Sequence, residues 1–148
     1  MSRKLTFKGI LAIGEQDRIK LSTLNGKTGY KITKFQTISN RPGAADSTTV
    51  VTVTRANDSV ALGINIVDLT NDGVLAVAYA MTGSSTSESS HETIVMDNTV
   101  FNQDIFITAG DPDGGTVAVN YYIELEAMEL SEIETTQLTL RNLRTITS

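Results

Sequence analysis

The sequence predicts an all-β fold, a sandwich or barrel of about eight short antiparallel strands with one C-terminal helix. Three observations predict it. Thr supplies about one residue in seven, and with Val and Ile it gives the 148-residue chain a β-branched character suited to pleated sheets. Apolar residues recur with period two in short runs, separated by clusters of Gly, Pro, Asn and Asp. After Ser131 the period changes to that of a helix.

Residues 1–14 read as a basic arm outside the sandwich. Their apolar stretch, Ile10 to Ile13, falls short of the ~7–15 residues of a signal-peptide core, and no small-x-small site follows it. No targeting sequence is read there, which predicts a protein cytosolic where it is made. Arg18–Leu24, a Gly-containing loop over Asn25–Gly29, and Tyr30–Ile38 read as a hairpin. In its second strand Tyr30, Ile32 and Lys34 share one face and Lys31, Thr33 and Phe35 the other, so neither is purely apolar. That mixture places the strand near an edge or an interface.

Asn40-Arg41-Pro42-Gly43 is a turn signal, followed by a strand over Ser47–Arg55 with Val51 and Val53 on one side. Asn57-Asp58 breaks it, and Ala61–Asp68 reads as a further strand. Asn71-Asp72-Gly73 turns the chain into Val74–Met81, whose continuous apolar character fits a strand buried on both faces. Thr82–Ser90 is polar and of low complexity, a surface loop. Glu92–Asp97 and Asp104–Ala109 are short strands. Gly110–Gly115 is a strong turn, and Thr116–Leu125 is the longest strand. The length suits one domain, and no internal repeat is visible.

Ser131 and Glu134 form a capping box, acids occupy the first turn, and Arg141 and Arg144 the last. With Ile133, Gln137, Leu140, Leu143 and Ile146 at helical spacing, a helix is predicted over 131–145. The rival is a last strand over Gln137–Leu140. The chain therefore divides into an arm (1–14), a β-sandwich (15–130) and a helix with its tail (131–148).

Composition removes several chemistries. Without Cys there are no disulfides, thiolate zinc sites, iron–sulfur clusters or cysteine nucleophiles, and a single histidine, His91, leaves little for acid–base catalysis. No apolar run approaches the ~18 residues of a membrane helix. Asp111-x-Asp113-Gly114 resembles a fragment of a calcium loop, but the remaining ligands of such a loop are missing and a β-turn is the simpler reading. Glu124, Glu126, Glu129, Glu132 and Glu134 are dense enough for paired-carboxylate chemistry. On a strand, however, Glu124 and Glu126 share the solvent face opposite Ile123 and Leu125. His91 lies beside the Ser-rich loop, without any nucleophile elbow to organise a pair. No enzyme activity, cofactor or metal is expected.

Charge is the more informative feature. Residues 1–34 carry eight Lys and Arg against two acids, whereas residues 56–140 carry fourteen acids and no Lys or Arg, and the whole chain has a formal charge of −5. One reading is neutralisation across neighbouring strands. A second is a bipolar subunit whose basic part docks on an acidic partner or on another copy. Nucleic-acid binding ranks last, because the chain is acidic overall and its basic arm has no interleaved aromatics. The residues that would carry such contacts are Arg3, Lys4 and Lys8 of the arm and the aromatics Tyr30, Phe35, Phe101, Tyr121 and Tyr122. Tyr121 and Tyr122 point to opposite faces, so at least one meets the second sheet or another chain. Phe106 reads as a core or subunit-contact side chain.

At Gly29–Gln36, Val100–Thr108 and Asn120–Glu126, and in the helix ending Thr139–Arg144, the sequence resembles small virion proteins of marine tailed bacteriophages. The resemblance implies a capsid-associated β-sandwich of jelly-roll type, a decoration or cement protein on the head surface. It further implies a homotrimer that bridges capsomers and binds the major capsid protein; from charge and run length, no nucleic acid or membrane partner is expected. A tail, neck or head-fibre component is the alternative within the same virion. A carbohydrate-binding module is the alternative of another class, and the absence of Trp weighs against it.

Overall fold

A strand that alternates apolar and polar residues buries one face, and a second sheet must cover that face. The computed structural model describes residues 3–21, 23, 26–42, 47–55, 69–70, 73–82, 90–112 and 115–147. The strands are β1 (Arg3–Leu11), β2 (Gln16–Ile19), β3 (Thr28–Ser39), β4 (Ser47–Thr54), β5 (Val74–Thr82), β6 (Ser90–Val95), β7 (Ile105–Gly110) and β8 (Val119–Glu129). The helix α1 (Glu132–Thr147) follows them. A three-stranded sheet in the order β1-β8-β3 faces a five-stranded sheet in the order β2-β7-β4-β5-β6. All the ladders are antiparallel.

The ladders β1–β8, β2–β7 and β4–β5 are those of one long ribbon folded about its middle and rolled. β3 and β6 occupy the remaining rung and touch, but β6 extends the five-stranded sheet beside β5 instead of pairing with β3. This is the jelly-roll order of a double-sheet sandwich. Its core draws Leu11, Ile32, Phe35, Ile123 and Leu125 from one sheet and Val51, Val53, Ile105 and Ile107 from the other. β5 is buried on both sides, as its apolar run predicts: Ala76 and Ala78 join this core, while Val74 and Val77 cluster with Val50 and Tyr79.

Residues 3–11 are a strand and not an arm. β1 pairs with β8 from Arg3↔Ala127 to Leu11↔Val119, and Leu5, Phe7 and Leu11 pack on the core. The alternation is faint in sequence because one inward position is Gly9. A Cβ there would lie 2.8 Å from the Tyr121 ring, so only glycine lets the ring sit against the strand. Nor is Arg18–Ile38 a hairpin: β2 pairs with β7 and β3 with β8, so the chain changes sheets between them. Asp104, just before β7, ties this crossing down. It accepts hydrogen bonds from Leu21 N and from Arg18 Nε, each at 2.7 Å, and the Arg18 side chain also lies over the Phe106 ring.

The mixed faces of β3 have a specific cause. A bulge between Ile32 and Lys34 resets the alternation, so that Tyr30, Ile32 and Phe35 all face inward. β3 is an edge strand, as that mixture predicts. The turn from β1 to β2 needs Gly14, whose φ of +89° suits the third position of a type II turn closed by Glu15 N–H on Ala12 O. The strand expected over Ala61–Asp68 and most of the Thr82–Ser90 loop lie outside the described residues.

The helix, not the rival strand, follows β8. Glu134 N–H donates to Ser131 Oγ and Ser131 N–H donates to Glu134 Oε1, each at 3.2 Å, so the capping box is closed. Ser131→Ala is expected to cost the helix about 1 kcal/mol. Hydrogen exchange should register the loss as faster exchange at Glu134 and its neighbours. Unchanged protection there would contradict it.

Candidate interaction surface

The outward face of the three-stranded sheet gathers much of the chain's charge. Strand register sets four rows across it: Lys4, Glu126 and Lys31; Thr6, Glu124 and Lys34; Lys8, Tyr122 and Gln36; Ile10, Asn120 and Ile38. The acids belong to the central strand and the lysines to both edges. Lys4 Nζ lies 3.9 Å from Glu124 Oε2, and Lys31 Nζ lies 3.8 Å from Glu126 Oε2. The basic N-terminal and acidic C-terminal segments are thus neighbouring strands, and part of their opposed charge is matched within one molecule. Exposed pairs of this kind contribute roughly 0–1 kcal/mol each and weaken in salt.

Tyr122 adds a hydrogen bond to this face, its hydroxyl donating to Glu124 Oε1 at 2.6 Å. That bond, with Lys4 and Lys34 nearby, holds the Glu124 carboxyl below its ordinary range, and the same bond pushes the Tyr122 hydroxyl up. Glu124 and Glu126 therefore both have partners among their immediate neighbours. His91 is exposed on β6, away from them.

Of the contact residues expected from sequence, Lys4, Lys8 and Tyr122 lie on the outward face of the three-stranded sheet, while Arg3 is exposed at the start of β1 opposite Ala127, on the side of Leu5 and Phe7. Tyr30, Phe35, Phe101 and Tyr121 do not lie on the surface; they are buried. Tyr30 and Phe101 stack with ring centroids 6.1 Å apart and exchange two backbone hydrogen bonds, at 2.7 and 2.9 Å. They join β3 to the segment between β6 and β7. Aromatics on an edge strand look like contact residues in sequence because nothing local reveals that a distant loop covers them.

Tyr121 is the inward member of its pair and Tyr122 the outward one. The Tyr121 hydroxyl donates to Asp17 Oδ2 at 3.0 Å, a bond from β8 to β2 that joins the two sheets. Burial, reinforced by that bond and the aspartate charge, pushes the Tyr121 hydroxyl up to about 12 from 10.0. The folded state thus keeps this proton where the unfolded chain loses it. The bond's contribution is fully present below pH 10 and declines as pH rises through about 12. Thermal midpoints measured across that window should fall less steeply for Tyr121→Phe than for the native chain. Equal slopes would contradict the assignment.

The positions that sequence reasoning missed are apolar. Among the described residues six large hydrophobic side chains are exposed, and four of them form two groups. Ile10 (52% exposed) and Ile38 (55%) flank Asn120 at one end of the sheet face. Beside them lies a shallow depression of about 350 Å³ lined by Gln36, Thr37, Ile38, Asn120, Tyr121 and Tyr122. Ile133 (72%) and Leu140 (53%) lie on α1. On that helix Leu138 instead lines a small cleft with Val100 and Leu130, so Ile133 and Leu140 form the side turned from the body. Ile133 and Leu140 stand seven residues apart in the predicted helix, and that spacing was the available signal. For Ile38 the bulge concealed it.

Among the described residues no cluster of three or more His, Asp or Glu could hold a metal ion. No described helix is long and apolar enough to cross a membrane. Compared with known proteins, the chain matches no family model, and no curated protein matches it.

Proposed function

We propose that the chain is a non-enzymatic structural subunit of a virion, a decoration or cement protein on the outside of a tailed-phage head. In this reading it binds the major capsid protein, bridges capsomers as a homotrimer, and is made in the host cytoplasm. The observation that carries the reading is the grouping of exposed apolar side chains at two separate places, Ile10 with Ile38 and Ile133 with Leu140, on a two-sheet sandwich. Paired apolar patches of this kind mark contact surfaces. The resemblance of Gly29–Gln36, Val100–Thr108 and Asn120–Glu126 to small virion proteins supplies the setting.

Durable contacts on such a shell rest on buried apolar area, because salt screens exposed charges beyond ~10 Å. Many copies bound together then add avidity that one weak contact lacks. Counting copies in purified particles by quantitative mass spectrometry tests the reading. Hundreds of copies per head are expected. About six or twelve would move the protein to the tail or neck, and its absence from particles would overturn the proposal.

A further inference from the structure

We infer that the depression at the Ile10–Ile38 end of the three-stranded sheet is a saccharide-binding site, and that the unit it takes is a 2-acetamido sugar. The inference goes beyond the assembly role proposed above and does not depend on it. It assigns a ligand to one of the two apolar groups and leaves the Ile133–Leu140 group to the particle.

One hydrogen bond shapes the depression. Side chains alternate along β8, so Asn120, Tyr122 and Glu124 stand in line on the outward face. The Tyr122 hydroxyl donates to Glu124 Oε1 at 2.6 Å, which draws the ring along the strand towards Glu124 and away from Asn120. The space left beside Asn120 is about 350 Å³, bounded by Tyr122 and by Gln36 and Ile38 of the neighbouring strand. That volume falls within the roughly 300–1,000 Å³ of small-molecule sites.

The chemistry of the lining selects the ligand. The side-chain amides of Gln36 and Asn120 each offer donors and an acceptor. Among the described residues no hydrogen bond holds either amide, although Asn120 is half-buried. Ile10 and Ile38 flank Asn120 in one row. A free amide between two aliphatic side chains thus lies next to a tyrosine ring whose hydroxyl is already engaged. The chain has no Trp, so Tyr122 supplies the aromatic surface.

A pyranose presents an apolar C–H face to such a ring, and at its edge hydroxyls that both donate and accept. An acetamido substituent adds an N–H, a C=O and a methyl group at one position, which Asn120 and its two isoleucines complement. A purely apolar ligand would cover Asn120 without pairing it, and an unpaired amide is costly. The described lining residues carry no formal charge, so the sugar is a neutral one.

NMR titration of the isotope-labelled full-length chain with N-acetylglucosamine, N-acetylgalactosamine and glucose tests the site. For a ligand of this size a dissociation constant of about 1 mM is expected. Shifts should centre on Gln36, Ile38, Asn120 and Tyr122 and include the side-chain amides of Gln36 and Asn120. Glucose, which lacks the acetamido group, should bind roughly tenfold more weakly. Asn120→Ala should abolish that preference. Gln36→Ala, at an exposed position, should weaken all three sugars and keeps the site testable should Asn120→Ala fail to fold. No shift at these residues with either acetamido sugar would overturn the inference. Equal binding of glucose or of cyclohexanol, or an unchanged preference in Asn120→Ala, would overturn it too. Sugar binding by a protein absent from particles would remove the virion reading alone. A particle-bound protein that binds no sugar would remove this site alone.

Discussion

A chain lacking residues 1–11 is expected not to fold. The deletion removes β1, a nine-residue strand, and with it one whole ladder of the three-stranded sheet. It withdraws Leu11 from the centre of the core and Leu5 and Phe7 from its margin, and it uncovers the β8 edge. Burying a Leu or Phe side chain is worth about 1.5–3 kcal/mol. Three such losses approach the roughly 5–15 kcal/mol by which a whole domain is stable. Circular dichroism of the truncated chain should lack the cooperative melt of the native protein. If residues 3–11 were instead a detachable arm, the truncated chain would melt as before. That outcome would contradict the β1–β8 pairing.

Phe101→Ala is expected to destabilise the fold by about 3–5 kcal/mol, the usual cost of emptying a buried aromatic site. Phe101 is among the largest fully buried side chains and stacks on Tyr30. Its backbone forms the bridge that holds the segment between β6 and β7 against β3. The vacated volume faces Tyr30, which is fixed by the same bridge and cannot collapse far into it. Urea denaturation should show the midpoint falling with little change in slope. A loss below about 1 kcal/mol would contradict the close packing of Phe101 against Tyr30.

The two variants mark where the sequence is legible and where it is not. The β-branched run Ser47–Arg55 and the continuously apolar run Val74–Met81 carry their own burial pattern, and the structure places β4 and β5 there. The Ser131–Glu134 box likewise marks the helix start, because its partners lie three residues apart. What stayed hidden depends on partners distant in sequence. β1 looks like an arm because Gly9 yields its place to the Tyr121 ring, 112 positions along the chain. The apparent hairpin at Arg18–Ile38 is divided by Asp104, whose hold on Leu21 and Arg18 no local pattern announces.

The contact surface was legible in the same measure. The charge split is visible in composition, and its partial matching across β1, β8 and β3 follows once the register is known. Lys8 and Tyr122 do lie on the surface, and the opposite facing of Tyr121 and Tyr122 is legible from the strand period, whereas Tyr30, Phe35, Phe101 and Tyr121, candidate contacts in the sequence, are buried in the core. Ile10 and Ile38 were overlooked, since a single isoleucine on a lysine-bearing strand attracts no notice until another stands across from it on the same face.

The most direct measurement is the mass of the purified full-length protein by sedimentation equilibrium, taken over a wide concentration range. A closed assembly near three times the 15.9 kDa chain, persisting on dilution, is the predicted result. A single chain at every concentration would contradict the account.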